Sequence, residues 1–171
     1  RPFTVSEGLN IFEISELYEK NGFGPKEQFL EVAMNPELIK ELLGSEKPSL
    51  EGYLFPEPYQ LTKYTTAKEL ITTMVQHFKT NFAQAKKGEL TNGWTQHEIM
   101  TLASIIEKET GAPEERPLIS SVFHNRLKKG MLLQTDPTII YGMAVEKKQT
   151  VYDITKDDIH RPSAYNTYVI K

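Results

Sequence analysis

The chain has 171 residues, a net charge of -3, 39% hydrophobic and 25% charged residues, and no cysteine. That is enough length to bury a real core, either as one domain or as one domain with a small satellite. The balance excludes a basic nucleic-acid footprint. The missing cysteines exclude both a disulfide framework and a Cys-ligated zinc site. No apolar run approaches the roughly 20 residues that cross a bilayer, and no signal peptide opens the chain. The chain begins at Arg1 and ends abruptly at Lys171, which reads as a fragment of a longer protein.

Helix signals dominate from the N-terminus onward. Asn10 with Glu13 forms a capping-box pattern. The apolar stripe Ile11, Ile14, Leu17 and Tyr18 follows it and closes at Gly22. Asn35-Pro36 sets a cap and a first-turn proline for a short helix that Gly44 ends. Residues 46–58 hold Gly52, Pro48, Pro56 and Pro58, which rules out a regular helix there. Thr66 with Glu69 opens another helix, with Leu70, Met74, Val75 and Phe78 on one side. Residues 86–94 read as a loop.

Thr95 and Glu98 form a further capping box, and the helix behind it runs through Ile99, Leu102, Ala103, Ile105 and Ile106 until Gly111-Ala112-Pro113 stops it. A helix near 115–129 ends at Gly130. Asp136-Pro137 reads as a cap and first-turn proline for a short helix toward Met143. Strand signals are thin: 2–5, 131–134 and 168–170. The pattern predicts a helix-rich α+β fold with a small β component.

The chemistry-bearing candidates cluster in the second half. In Ile105-Ile106-Glu107-Lys108-Glu109-Thr110 an apolar helix ends in two carboxylates. At about 100° per residue, Lys108 points away from the apolar face. Glu107 projects beside Met100 and Ala103, and Glu109 beside Leu102 and Ile105. Periodicity does not choose between them. A carboxylate there meets the negative end of the helix dipole. Partial burial would disfavour its charged form further, and both effects suit a general acid. The plainer reading is two solvated surface glutamates.

For Asp136 the plainer reading is a helix N-cap. The run Tyr165-Asn166-Thr167-Tyr168 combines stacking faces with amides, which fits sugar or acetamido recognition. Its plainer reading is a turn before a half-buried strand. The histidines, His77, His97, His124 and His160, form no metal-ligand spacing. No nucleophile elbow and no phosphate-cradling glycine loop appears.

Taken together, Leu50-Glu51-Gly52-Tyr53-Leu54-Phe55-Pro56, Leu102 through Thr110, Ser121-Val122-Phe123-His124-Asn125-Arg126-Leu127, Leu133-Gln134-Thr135-Asp136-Pro137-Thr138 with Tyr141-Gly142-Met143, and Ala164-Tyr165-Asn166-Thr167-Tyr168 resemble, in order and spacing, the YceG-like endolytic murein transglycosylases. Residues 1–49 fit more loosely, through Val5-Ser6-Glu7-Gly8, so the resemblance implies an N-terminal helical part of the catalytic region over 1–49 and a YceG-like catalytic core, truncated at its C-terminal end, over 50–171. The resemblance implies a lytic enzyme of the bacterial cell envelope. Such an enzyme cuts the β-1,4 bond between N-acetylmuramic acid and N-acetylglucosamine within peptidoglycan strands and leaves a 1,6-anhydro end. It uses no metal or cofactor and works beside cell-wall synthases at the outer face of the cytoplasmic membrane.

The resemblance also places the catalytic glutamate at Glu109, the second of the Glu-Lys-Glu triplet. It implies sugar contacts, or orientation of Glu109, for Gln134, Asp136, Tyr165 and Asn166. Tyr53 and Arg126 are weaker candidates that serve a core or scaffold role equally well. Members of the family continue past this region into a Gly-Leu-Pro-Pro-Gly-type motif and a C-terminal strand. They also carry an N-terminal membrane helix and a LysM-like region, so a membrane anchor is expected in the full-length protein. The competing readings are a non-catalytic peptidoglycan-binding module, a muramidase-type hydrolase with Asp136 as second carboxylate, and a structural helper docked on a synthase.

Overall fold

The structure, a computed structural model, describes residues 1–85 and 93–170. The expected loop at 86–94 therefore lies, over 86–92, outside the described residues. The chain divides into two compact units, Arg1–Trp94 and Thr95–Lys171.

The first unit runs β1 (Pro2–Thr4), α1 (Ile11–Lys20), α2 (Lys26–Ala33), α3 (Pro36–Leu43), β2 (Pro58–Gln60) and α4 (Ala67–Ala85). Local chemistry sets the helix starts. At α1, Asn10 accepts the Glu13 N–H while Glu13 reaches back to the Asn10 N–H, which satisfies two otherwise orphaned donors. At α3, Asn35 caps the Leu38 N–H and Gly44 closes the helix in the left-handed region at φ 71°. At α4, Thr66 and Glu69 exchange the same reciprocal pair of bonds. The helix then buries Ala67, Leu70, Ile71, Met74, Val75 and Phe78, the i, i+3, i+4 spacing of one face.

The strands β1 and β2 pair antiparallel, with Phe3 opposite Tyr59. Both rings face inward at the central position while their neighbours are exposed, which is the period of a half-buried strand. Strand β2 begins at Pro58, inside the proline-rich stretch; a proline at the first position of a strand gives up no ladder bond inside it. One core gathers Phe3, Ile14, Tyr18, Phe29, Ile39, Leu50, Tyr59 and Ile71. Residues on both sides of position 49/50 belong to it, and the Leu50 N–H donates to the Ala33 carbonyl at 2.9 Å. Burying each large side chain of this kind contributes roughly 1.5–3 kcal/mol.

The second unit contains α5 (Gln96–Glu109), a 3-10 turn (Pro113–Glu115), α6 (Arg116–Lys128), α7 (Asp136–Lys147) and a second 3-10 turn (Asp158–His160). Thr95 caps α5 by accepting the Glu98 N–H. Helix α5 buries Leu102 and Ile105, α6 buries Phe123, and α7 buries Ile139, Met143 and Ala144.

The fold is thus mostly helical with a small two-stranded antiparallel sheet, as the sequence pattern predicts. Two expected strands are not strands. Among the described residues the sheet pairs only β1 with β2, so 131–134, which ends at Gln134 with φ 52°, has no strand partner, and at 168–170 the Val169 and Ile170 amides turn back onto the Asn166 carbonyl. Asp136 is also not the N-cap of α7. Thr135 holds that position in extended conformation, and Asp136 is the first helical residue, followed by Pro137. The helix continues to Lys147, a full turn past Met143.

Candidate functional site

The site is built where α5 ends. Its two carboxylates have different surroundings. Glu107 is half-buried and pairs with Arg116 Nη2 at 3.3 Å. Glu109, the last residue of α5, is exposed, and its Oε1 accepts a hydrogen bond from the Thr135 hydroxyl. Arg116 is therefore held at Glu107, while the Glu109 carboxyl keeps solvent access with one oxygen held by a neutral donor.

Thr135 arrives from the chain that leads into α7. Arg126, on α6, steadies this chain by donating Nη1 to the Leu132 carbonyl at 3.0 Å and to Gln134 Oε1 at 3.4 Å. Gln134 itself is exposed and sits at φ 52°. A non-glycine residue in that region costs on the order of 1–3 kcal/mol, and such strain persists only where surrounding bonds over-determine it. Here the Gln134 N–H donates to the Thr167 carbonyl at 3.1 Å.

Asp136 is exposed and accepts the Tyr168 hydroxyl at 2.6 Å. That bond raises the Tyr168 phenol above its ordinary range, aided by burial and by the negative charges of Asp136 and Glu109; Arg126 opposes the effect. The bonds Arg126–Gln134, Glu109–Thr135 and Tyr168–Asp136 fall on three consecutive residues and place these groups at one locus.

Asn166 is 1% exposed. Its Nδ2 donates to the Ile159 and Arg161 carbonyls at 3.0 and 2.7 Å, and its Oδ1 accepts the Tyr168 N–H at 3.0 Å. Its amide thus ties residues 159–168 into one loop and presents no polar atom to solvent. Tyr165 is 37% exposed and packs edge-on to Tyr141 with centroids 5.2 Å apart.

The structure therefore brings Glu109, Gln134 and Asp136 together around Thr135, and sets Tyr165 and Asn166 on the loop that carries Tyr168. Tyr53 lies buried in the first unit, edge-on to Phe78. Sequence reasoning named neither Thr135 nor Tyr168 individually, although both stood in the quoted motifs. Among the described residues no group of three His, Cys, Asp or Glu side chains gathers as a metal site. No helix among them is long and apolar enough to cross a membrane.

Comparison with known proteins adds an independent line. The family model described as the YceG-like family matches residues 1–171. The chain is 36% identical over 144 residues to an endolytic murein transglycosylase of Bacillus subtilis, covering 84% of this chain and 38% of that protein. It is 33% identical over 141 residues to an endolytic murein transglycosylase of Streptococcus pneumoniae, covering 80% of this chain and 26% of that protein. The chain thus spans well under half the length of these relatives. A crystal structure of a yceG-like protein from Listeria monocytogenes superposes with a TM-score of 0.86 at 30% identity, over 98% of this chain and 58% of that one.

Proposed function

The chain belongs to the YceG-like family, and from that membership together with the surroundings of Glu109 we propose that it carries the catalytic site of an endolytic murein transglycosylase, with Glu109 as its single general acid and base. The substrate is the peptidoglycan strand, cut internally at the β-1,4 bond between N-acetylmuramic acid and N-acetylglucosamine. The products carry a 1,6-anhydro end. The protein works at the outer face of the cytoplasmic membrane beside cell-wall synthases.

One observation carries the assignment: Glu109 is an exposed carboxyl fixed by a hydroxyl donor next to the Asp136–Tyr168 pair, whereas Glu107 is taken up by Arg116. The chemistry needs only one such group. A glycoside hydrolase normally employs two carboxyls, one for the leaving group and one for water or the anomeric carbon. A lytic enzyme replaces water with the C6 hydroxyl of the muramyl residue. Protonated Glu109 gives its proton to the bridging oxygen as the C1–O bond breaks. The resulting carboxylate takes the proton from the C6 hydroxyl as that oxygen bonds to C1. Holding the C6 hydroxyl over C1 supplies the advantage of an intramolecular reaction. Gln134, Asp136 and Tyr165, all exposed, line the approach to sugar hydroxyls and acetamido groups. Asn166 acts through the loop it ties.

Mass spectrometry of purified peptidoglycan incubated with the full-length protein and with its Glu109→Gln variant tests this reading. Anhydro-muramyl products from the wild type alone are expected. Anhydro products from both proteins would remove Glu109 from its role. Reducing ends from the wild type would identify a hydrolase, with Asp136 the candidate second carboxyl. Strand binding without products would identify a binding module.

A further inference from the structure

We infer that Thr135 is a positioning residue that decides which oxygen of Glu109 carries the transferable proton, and that Thr138 and Thr167 form the hydroxyl ring that seats it. This deepens the acid/base reading of Glu109 and rests on it.

The position of Thr135 points to the role. It is the N-cap residue of α7, where a threonine hydroxyl ordinarily accepts a helix N–H. No such cap bond is made. The hydroxyl of this residue, itself only 3% exposed, is turned to Glu109 Oε1 on a different helix, 26 positions away in sequence. A helix start has given up its local bond in favour of one to the carboxyl.

The backbone around Thr135 is held by the other two threonines. The Thr135 N–H donates to Thr167 Oγ1 at 3.0 Å, and the Thr138 hydroxyl donates to the Thr135 carbonyl at 2.8 Å. Thr138 Oγ1 and Thr167 Oγ1 lie 2.9 Å apart. Each hydroxyl has one proton. The Thr167 hydroxyl also reaches the Thr135 carbonyl, at 3.4 Å, so whichever of the two hydroxyls donates to that carbonyl accepts from the other, and the ring closes on both peptide groups of Thr135. One residue earlier, the Thr167 carbonyl accepts the N–H of the left-handed Gln134. These bonds over-determine the backbone that aims the Thr135 hydroxyl.

The consequence is chemical. With Oε1 occupied as an acceptor, the acid proton of Glu109 resides on Oε2, the oxygen left to serve the reacting bond. The proton passes from Oε2 to the bridging oxygen as C1–O breaks, and returns to Glu109 from the C6 hydroxyl as O6–C1 forms. Thr135 remains a donor to Oε1 throughout and transfers no proton.

The test uses the full-length protein, with kcat and KM measured on peptidoglycan strands from the rate of anhydro-end formation. Thr135→Val keeps the shape and removes the hydroxyl. Its kcat is expected to fall by roughly 10- to 100-fold with KM changed by less than about twofold, because the group is positioned rather than lost. Thr135→Ser, which restores the hydroxyl, is expected to recover most of the rate. Wild-type kcat in Thr135→Val, an equal loss in Thr135→Ser, or a loss confined to KM would each overturn the inference. If Thr135→Val loses its cooperative melting transition, Thr138→Ala decides instead, because it opens the ring but keeps the hydroxyl. A reduced kcat supports the device, and an unchanged kcat overturns it. An active Glu109→Gln variant would remove the acid/base reading itself. An inactive Glu109→Gln beside a fully active Thr135→Val would remove only this inference.

Discussion

Glu107 and Glu109 sit two positions apart at the same helix end, and what separates them is which group each one meets. Arg116 takes the first and the Thr135 hydroxyl the second. Helical projection left both open, because each flanks the apolar stripe and neither partner is near in sequence. A similar reassignment moves Asp136 from a local cap to a long-range acceptor of the Tyr168 hydroxyl, 32 positions away. Tyr168→Phe deletes that bond alone. Because the pair is exposed, its loss is expected to cost no more than about 1 kcal/mol of stability. Product formation is expected to fall severalfold, as Asp136 loses the donor that holds it. Chemical denaturation and the anhydro-product assay, run on the same preparation, check both halves. Full activity would place the pair outside the working site.

At the scale of elements, the caps were the most legible feature. Asn10 with Glu13, Asn35 with Pro36, and Thr66 with Glu69 all start helices as their side-chain chemistry requires. The element that sequence reading placed least well is α7, whose start shifted by one residue and whose end moved to Lys147. Its interior Gly142 is costly by propensity, about 1 kcal/mol relative to alanine. The reason is contact: a Cβ there would lie 2.9 Å from Ser163 Oγ and 3.1 Å from Tyr165 Cβ. The glycine lets the loop that carries Tyr165 close onto the helix. Gly142→Ala is therefore expected to destabilise by roughly 1–3 kcal/mol, as overpacking does, where an open helical site would gain. Urea denaturation gives the sign directly. A gain in stability would show that the loop is not seated on α7.

At the scale of the whole molecule, the large core of the first unit buries tyrosines whose phenols resist ionisation. Tyr59 is pushed well above its ordinary value, first by burial and then by the charge of Glu57, and burial raises Tyr18 and Tyr53 in the same direction. The unfolded chain releases these protons near pH 10. Above that pH the unfolded state binds fewer protons than the folded state, so stability falls as pH rises. The contribution is fully present below about pH 10 and is lost as pH climbs toward the folded-state values. The melting temperature is expected to drop between about pH 9 and pH 11, and Tyr59→Phe to show a shallower drop. An identical slope in the variant would mean that Tyr59 ionises as easily in the folded protein as in the unfolded chain.

The sequence by itself determined the helix-rich class, most helix starts, the proline-rich interruption and the position of the Glu-Lys-Glu triplet at a helix end. All of these follow from neighbours within a turn or two along the chain: a side-chain oxygen reaching an N–H three residues on, or apolar groups recurring on one face. Only the tertiary structure decided that Arg116 occupies Glu107, that Thr135 forgoes its cap for Glu109, and that the amide of Asn166 is spent inside its own loop. It also decided that 131–134 and 168–170 are turns and connections instead of strands. The partners that separate Glu107 from Glu109 lie 9 and 26 positions away along the chain, and local periodicity carries no record of a partner beyond a turn or two.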